Sequence, residues 1–155
     1  MLYASQSGTS EGQARKLAKE LKAQGHVPAI STLVGYTPAA LAAEKYALIF
    51  ASTYGDGDAP DGVQPFYEQF CLEHFPRFEG LSDAVFALGD KHYEHFCKFG
   101  NDLDTKLAAL GANRLSLWAG DACGVIPQND LNLVVAFGKL FWPTSAVCFG
   151  PPMER

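Results

Sequence analysis

Apolar positions along the chain follow two rhythms. Ala14, Leu17, Ala18 and Leu21 recur at i, i+3, i+4 and i+7, which predicts one face of a helix ending near Gly25. Val63, Phe66, Tyr67 and Phe70 repeat that spacing. Leu103, Leu107 and Leu110 mark a further helix stopped by Gly111, and Leu133, Phe137, Leu140 and Phe141 line a last one. Between these stand continuous apolar runs of strand length. "YALIFAST", Tyr46 to Thr53, and "AVFALG", Ala84 to Gly89, read as strands buried on both faces. Met1 to Ala4, Val27 to Leu33 and Arg114 to Trp118 read as three more strands, and Pro38 after Thr37 suits the first turn of a brief helix.

Five strands alternating with five helices predict an α/β fold, a parallel sheet with helices packed on both sides. Right-handed crossovers then gather every strand-to-helix loop at the carboxyl edge of the sheet. Ligands of open α/β sheets bind at that edge, where the strand order reverses. Three loops matter on that expectation: Ser5–Ser10, Thr53–Gly62 and Asp90–Gly100.

Composition narrows the partners. The 155 residues suit a single domain, expected over 1–148, with 149–155 as a flexible tail. The first strand is so short that the chain is expected to be an excised domain or to begin at a trimmed end. A formal charge of −5 argues against nucleic acid or an acidic membrane surface and suits a basic partner protein. The four cysteines, Cys71, Cys97, Cys123 and Cys148, are far apart and form no CxxC pair, as expected of reduced thiols in a cytoplasmic protein. No signal peptide and no membrane-spanning run is recognisable.

The first loop, within "YASQSGTSEG", carries no charged residue before Glu11. Its donors are backbone N–H groups and the hydroxyls of Ser5, Ser7, Thr9 and Ser10, placed where a helix begins and its dipole favours an anion. It lacks both the Lys of GxxxxGK[ST] and the GxGxxG of dinucleotide sites, so a phosphate monoester fits best. Taken alone, such a loop is more often a Ser/Gly turn ahead of a helix cap. The second loop, "TYGDGDAPDG", holds Asp56, Asp58 and Asp61, whose charge would repel phosphate, and offers Tyr54 beside the pliable Gly55 and Gly57. The third, "DKHYEHFCKFG", offers Tyr93 and Phe96. Two tyrosines at one sheet edge can sandwich a flat ring. Together the loops describe a ligand with a phosphate tail and a planar head, and flavin mononucleotide, FMN, is such a molecule.

These three loops, in order and at this spacing, resemble the FMN-binding domain of the diflavin reductases, the family of NADPH–cytochrome reductase, the sulfite reductase flavoprotein and methionine synthase reductase. "NDLDTKLAALGANR" continues the match. The resemblance implies a flavodoxin-like three-layer α/β/α sandwich with a five-stranded parallel sheet of order 2-1-3-4-5. It implies that Ser5, Gln6, Ser7, Gly8, Thr9 and Ser10 wrap the phosphate and that Tyr54 and Tyr93 stack on the ring. Gly55 is then the residue whose backbone answers flavin reduction. Thr53, Gly57, Leu88, Gly89, Asp90, His95, Phe96 and Cys97 border the ring and ribityl chain, with Asp121 after the fifth strand.

The sequence departs from the family pattern in three places: Cys97 and Asp90 stand where relatives often carry Asn, and the segment around Asp121 holds fewer acids. The FAD- and NADPH-binding module of these reductases is absent from the chain. The resemblance therefore implies an electron-transfer domain served by an FAD/NADPH module, in cis or in trans, which passes electrons singly to a redox acceptor protein. Two alternatives stay open on sequence: a stand-alone FMN-dependent NAD(P)H:quinone reductase, and a flavin-free docking domain. The acids Asp56, Asp58, Asp90 and Glu94 would hold the second flavin potential low, or form a solvated docking face. His92, His95 and Cys97 supply only three ligands without a fourth, so no metal is expected.

Overall fold

In the computed structural model the described residues are 1–72, 77–121 and 148–149. Along the chain, β1 (Leu2–Ala4) leads into α1 (Thr9–Ala23), β2 (Val27–Pro28), β3 (Ser31–Thr32), α2 (Pro38–Ala42) and β4 (Tyr46–Ser52). A 3-10 turn at Asp61–Val63 opens α3 (Gln64–Cys71); β5 (Ser82–Gly89), α4 (Lys98–Ala109) and β6 (Asn113–Asp121) follow, and β7 (Cys148–Phe149) pairs with β2. The expected helix at Leu133–Phe141 lies outside the described residues, as does 150–155 of the expected tail.

The main sheet is parallel with the order β3-β1-β4-β5-β6. This is the 2-1-3-4-5 arrangement with one amendment. The expected second strand, Val27 to Leu33, breaks in two, and only its second half, β3, joins the sheet beside β1. The break follows Pro28, which has no N–H to donate and so is poorly suited to the interior of a continuous strand. The first half, β2, turns away to pair with β7.

Side-chain alternation sends the two faces of the sheet into separate cores. Leu48 and Phe50 of β4 and Ala84 and Phe86 of β5 pack with Ala14, Leu17, Ala18 and Leu21 of α1, so the predicted apolar stripe of that helix is its buried face. Phe50 and Phe86 stack with ring centroids 4.7 Å apart. Ala47, Ile49 and Ala51 of β4 and Val85 of β5 face the other way, onto Phe66 and Phe70 of α3 and Phe99, Leu103 and Leu107 of α4. Both faces of β4 and β5 being covered is why those segments read as unbroken apolar runs.

α4 lies hard against the sheet. A Cβ on Gly100 would come within 2.4 Å of the Ala87 Cβ, so glycine is required for this approach. One end of α4 thereby pins the third loop to the carboxyl edge. No helix among the described residues is long and apolar enough to cross a membrane.

Candidate functional site

All three loops meet the carboxyl edge of the sheet, after β1, β4 and β5. The first begins at Ser5 and ends where Gly8, with φ +90°, caps α1. That left-handed backbone suits glycine, and a Cβ built on Gly8 would meet nothing within 4 Å. Ser5 Oγ accepts from the Gly8 N–H at 2.9 Å, and the Ser7 and Thr9 hydroxyls lie 3.2 Å apart. The buried Ser10 hydroxyl bonds that of Ser52 at the end of β4, which ties the first turn of α1 to the sheet. Glu11, the first charged residue, is turned to Arg15 one turn on. The result is an uncharged loop at the N-terminus of a fifteen-residue helix, a donor set suited to a phosphate monoester.

The second loop is a closed hairpin. Tyr54 N–H donates to the Asp58 carbonyl, and Asp58 N–H donates back to that of Tyr54, both at 2.8 Å. Gly55 and Gly57 make the turn with φ +52° and +108°. Gly57 is buried: a Cβ there would lie 2.8 Å from Lys98 Cδ and 3.0 Å from His95 Cβ, so the second loop rests on the third. Thr53 completes the join, its Oγ1 accepting from the Phe99 N–H of α4 at 3.1 Å.

Between these loops opens a cleft of about 340 Å³ lined by Thr53, Tyr54, Gly55, Asp90, Tyr93 and His95. This is the size of small-molecule sites. Tyr54 and Tyr93 keep 45% and 54% of their surface exposed, which for large aromatic rings leaves two faces wanting a partner. A planar ligand with a phosphate tail therefore fits the residues present: rings at the cleft, uncharged donors at the loop. Asp90 stands at the cleft wall. Its Oδ1 accepts from the His92 backbone N–H at 2.9 Å and is 2.6 Å from the His92 Nδ1, and these bonds hold its carboxyl below the usual range.

The predicted site residues divide by placement. Tyr54, Tyr93, Gly55, Asp90, Thr53 and His95 converge on the cleft. Phe96 is half-buried beside it in sequence, while Leu88, Gly89 and Cys97 are buried. Cys97 aims its thiol inward, within reach of the Ala87 and Gly120 carbonyls at 3.3 and 3.4 Å, and bridges β5 to β6. It is also the one non-glycine with positive φ (+56°) among the described residues. That conformation is one Asn adopts more readily than Cys, so the backbone here is strained for the residue present. The backbone of Asp121 ends β6; its side chain lies outside the described residues. With Cys97 buried and His92 exposed, the His92, His95 and Cys97 trio does not converge, and no group of three or more metal-type ligands occurs among the described residues.

One contact has no signal in the sequence. Asp61, expected only to repel a phosphate, lies against the first loop: its backbone N–H donates to Gln6 Oε1 at 3.0 Å, and Gln6 Nε2 donates to its Oδ2 at 3.2 Å. Two side chains 55 positions apart carry no periodicity that could have announced the pairing.

A family model described as Flavodoxin matches residues 1–135. The chain is 38% identical over 115 residues to the Sulfite reductase (NADPH) flavoprotein alpha-component of a Shewanella species, covering 74% of this chain and 19% of that protein. With the same component from Vibrio parahaemolyticus it shares 40% over 112 residues, 72% of this chain and 18% of that one. The chain thus spans about a fifth of the length of these curated relatives. Among solved structures, a flavodoxin of Streptococcus pneumoniae superposes with a TM-score of 0.70 at 24% identity, covering 89% of this chain and 92% of that one.

Proposed function

This chain belongs to the flavodoxin family and has FMN as its cofactor, and from that premise we propose that it is an electron-transfer domain, receiving electrons from an FAD/NADPH-binding module and passing them singly to an acceptor protein. The observation that carries this reading is the exposed pair Tyr54 and Tyr93 lining one cleft at the sheet edge that also carries the uncharged helix-terminal loop. FMN, when bound, supplies one-electron redox chemistry, and the protein supplies position, exposure and electrostatics. In this reading the Ser5–Ser10 loop holds the phosphate, while Tyr54 and Tyr93 clasp the ring. Asp90, Asp56 and Asp58 set the charge that ring and partner meet.

Similarity to the alpha-component of a sulfite reductase favours a haem- or iron-bearing partner over a small quinone. The thiols of Cys71 and Cys97, neither in a disulfide, suit a cytoplasmic setting. The test is reduction of the FMN-loaded chain followed at the flavin absorption band. NADPH alone should leave it oxidised over minutes, and NADPH with a catalytic amount of an FAD-containing NADPH reductase module should bleach it. Direct, rapid bleaching by NADPH alone would instead make the chain a stand-alone reductase.

A further inference from the structure

We propose that Gln6 and Asp61 form a clasp that fixes the span between the phosphate loop and the ring cleft, so that Gln6 acts as a positioning residue and the pair sets the preference for phosphate-bearing over phosphate-free flavin. The inference rests on the FMN reading above. A primary amide engaged on both its oxygen and its nitrogen has one orientation left, and both bonds here go to a single residue. Asp61 is itself firmly placed. It opens the 3-10 turn that leads into α3, whose Phe66 and Phe70 are buried in the core. Immediately before it, Ala59 and Pro60 are buried and join it to the Tyr54–Asp58 hairpin. A displacement of Gln6 therefore cannot be absorbed by slack between Asp61 and Tyr54.

The outer part of the first loop otherwise holds itself by local bonds, Ser5 to Gly8 and Ser7 to Thr9. The clasp is what references that part to the second loop. A ligand gripped only at the ring does not sense the span; one gripped at both ends does.

Charge gives the proposal a sharp sign. A carboxylate beside a phosphate loop repels the phosphate, so if Asp61 were only a neighbour, its removal would tighten FMN. As half of a clasp, its removal loosens FMN. Binding of FMN and of riboflavin to the full chain is measured by fluorescence quenching for the wild type, Gln6→Ala, Asp61→Ala, Asp61→Asn and the double alanine variant.

Gln6→Ala and Asp61→Ala should each weaken FMN about five- to tenfold, the loss of a charge-assisted hydrogen bond. The double variant should be no weaker than Gln6→Ala, which already removes both bonds, whereas Asp61→Ala keeps the backbone one. Asp61→Asn keeps an acceptor oxygen and the backbone donor and should restore most of the affinity. Riboflavin binding should change little, so the FMN-to-riboflavin ratio narrows. Unchanged or tighter FMN binding by Asp61→Ala, with Gln6→Ala still impaired, would overturn the clasp and make Gln6 a direct phosphate ligand. Additive losses would overturn it too. A wild type that binds neither flavin would remove the FMN reading itself, a result distinct from either.

Discussion

β5 carries an aspartate at its start and another just past its end, and the two live under opposite rules. Asp90, beyond Gly89, stands exposed at the cleft, and bonds from the His92 backbone and ring hold its carboxyl below the usual range. Asp83, the second residue of the strand, is 1% exposed, and neither of its oxygens has a hydrogen-bond partner among the described residues. Burial, and then the negative Asp104 on α4, push its carboxyl up to about 7, against a smaller opposing pull from Arg114 of β6. Arg114 itself is committed to Asp104, with its Nε donating to Oδ1 at 2.8 Å and its Nη2 to Oδ2. The strand thus carries a solvated acid at its carboxyl end and a buried acid without hydrogen-bond partners near its start. Function sits where charge stays solvated, and stability is strained where it does not.

The largest test of that contrast is pH-dependent unfolding. Because the folded carboxyl of Asp83 binds its proton more tightly than the unfolded one, the folded state holds more protons between about pH 4 and 7, and stability falls as pH rises through that window. A shift from 3.8 to about 7 amounts to about 4 kcal/mol at 1.36 kcal/mol per unit. The buried Met1 amine, lowered to about 6, opposes this loss above pH 6, so urea melts at pH 5 and pH 8 show the Asp83 contribution as the difference between wild type and Asp83→Asn. Asp83→Asn should remove that contribution and stabilise the protein at pH 8. An equal slope in the variant would mean that the acid is solvated after all.

At the other end, Tyr93→Ala and Tyr54→Ala should each weaken FMN about tenfold, from lost stacking and covered ring surface, with the unfolding midpoint of the flavin-free protein unmoved. Asp83→Asn should leave FMN affinity alone. A variant at either end that disturbed both properties would erase the division.

The smallest effect is electrostatic tuning. Asp56 and Asp58 are exposed on the hairpin that carries Tyr54. A charge about 4 Å away is worth about 1 kcal/mol in water, on the order of 40 mV for one electron. Asp56→Asn with Asp58→Asn should raise the second flavin potential by an amount of that order in a potentiometric titration. An unchanged potential would leave these acids only a surface for docking.

The same contrast marks what was legible in the sequence. β4 and β5 announced themselves because burial on both faces leaves no polar position, and the loops because glycine and hydroxyl residues have local consequences. The split at Pro28 was in plain view as a missing donor but was masked by the apolar residues around it. Asp83 gave no warning, since a charged residue before "AVFALG" reads as a strand boundary, and its nearness to Asp104 of α4 is not visible in its own segment. Gly100 looked like one more loop glycine until its approach to Ala87 was seen. Gln6 entered through the family resemblance of its loop, and nothing in the sequence signalled that its side-chain amide meets Asp61. What sequence missed is in each case a property of two segments brought together, not of either alone.

The central claim, that the carboxyl-edge cleft and its loop hold FMN, is tested most directly by titrating the purified, flavin-stripped chain with FMN and following fluorescence quenching and the visible spectrum. The account predicts saturation at one FMN per chain, a perturbed flavin band, and marked weakening in Tyr93→Ala. No quenching with FMN in excess, or binding indifferent to both Tyr54→Ala and Tyr93→Ala, would contradict it.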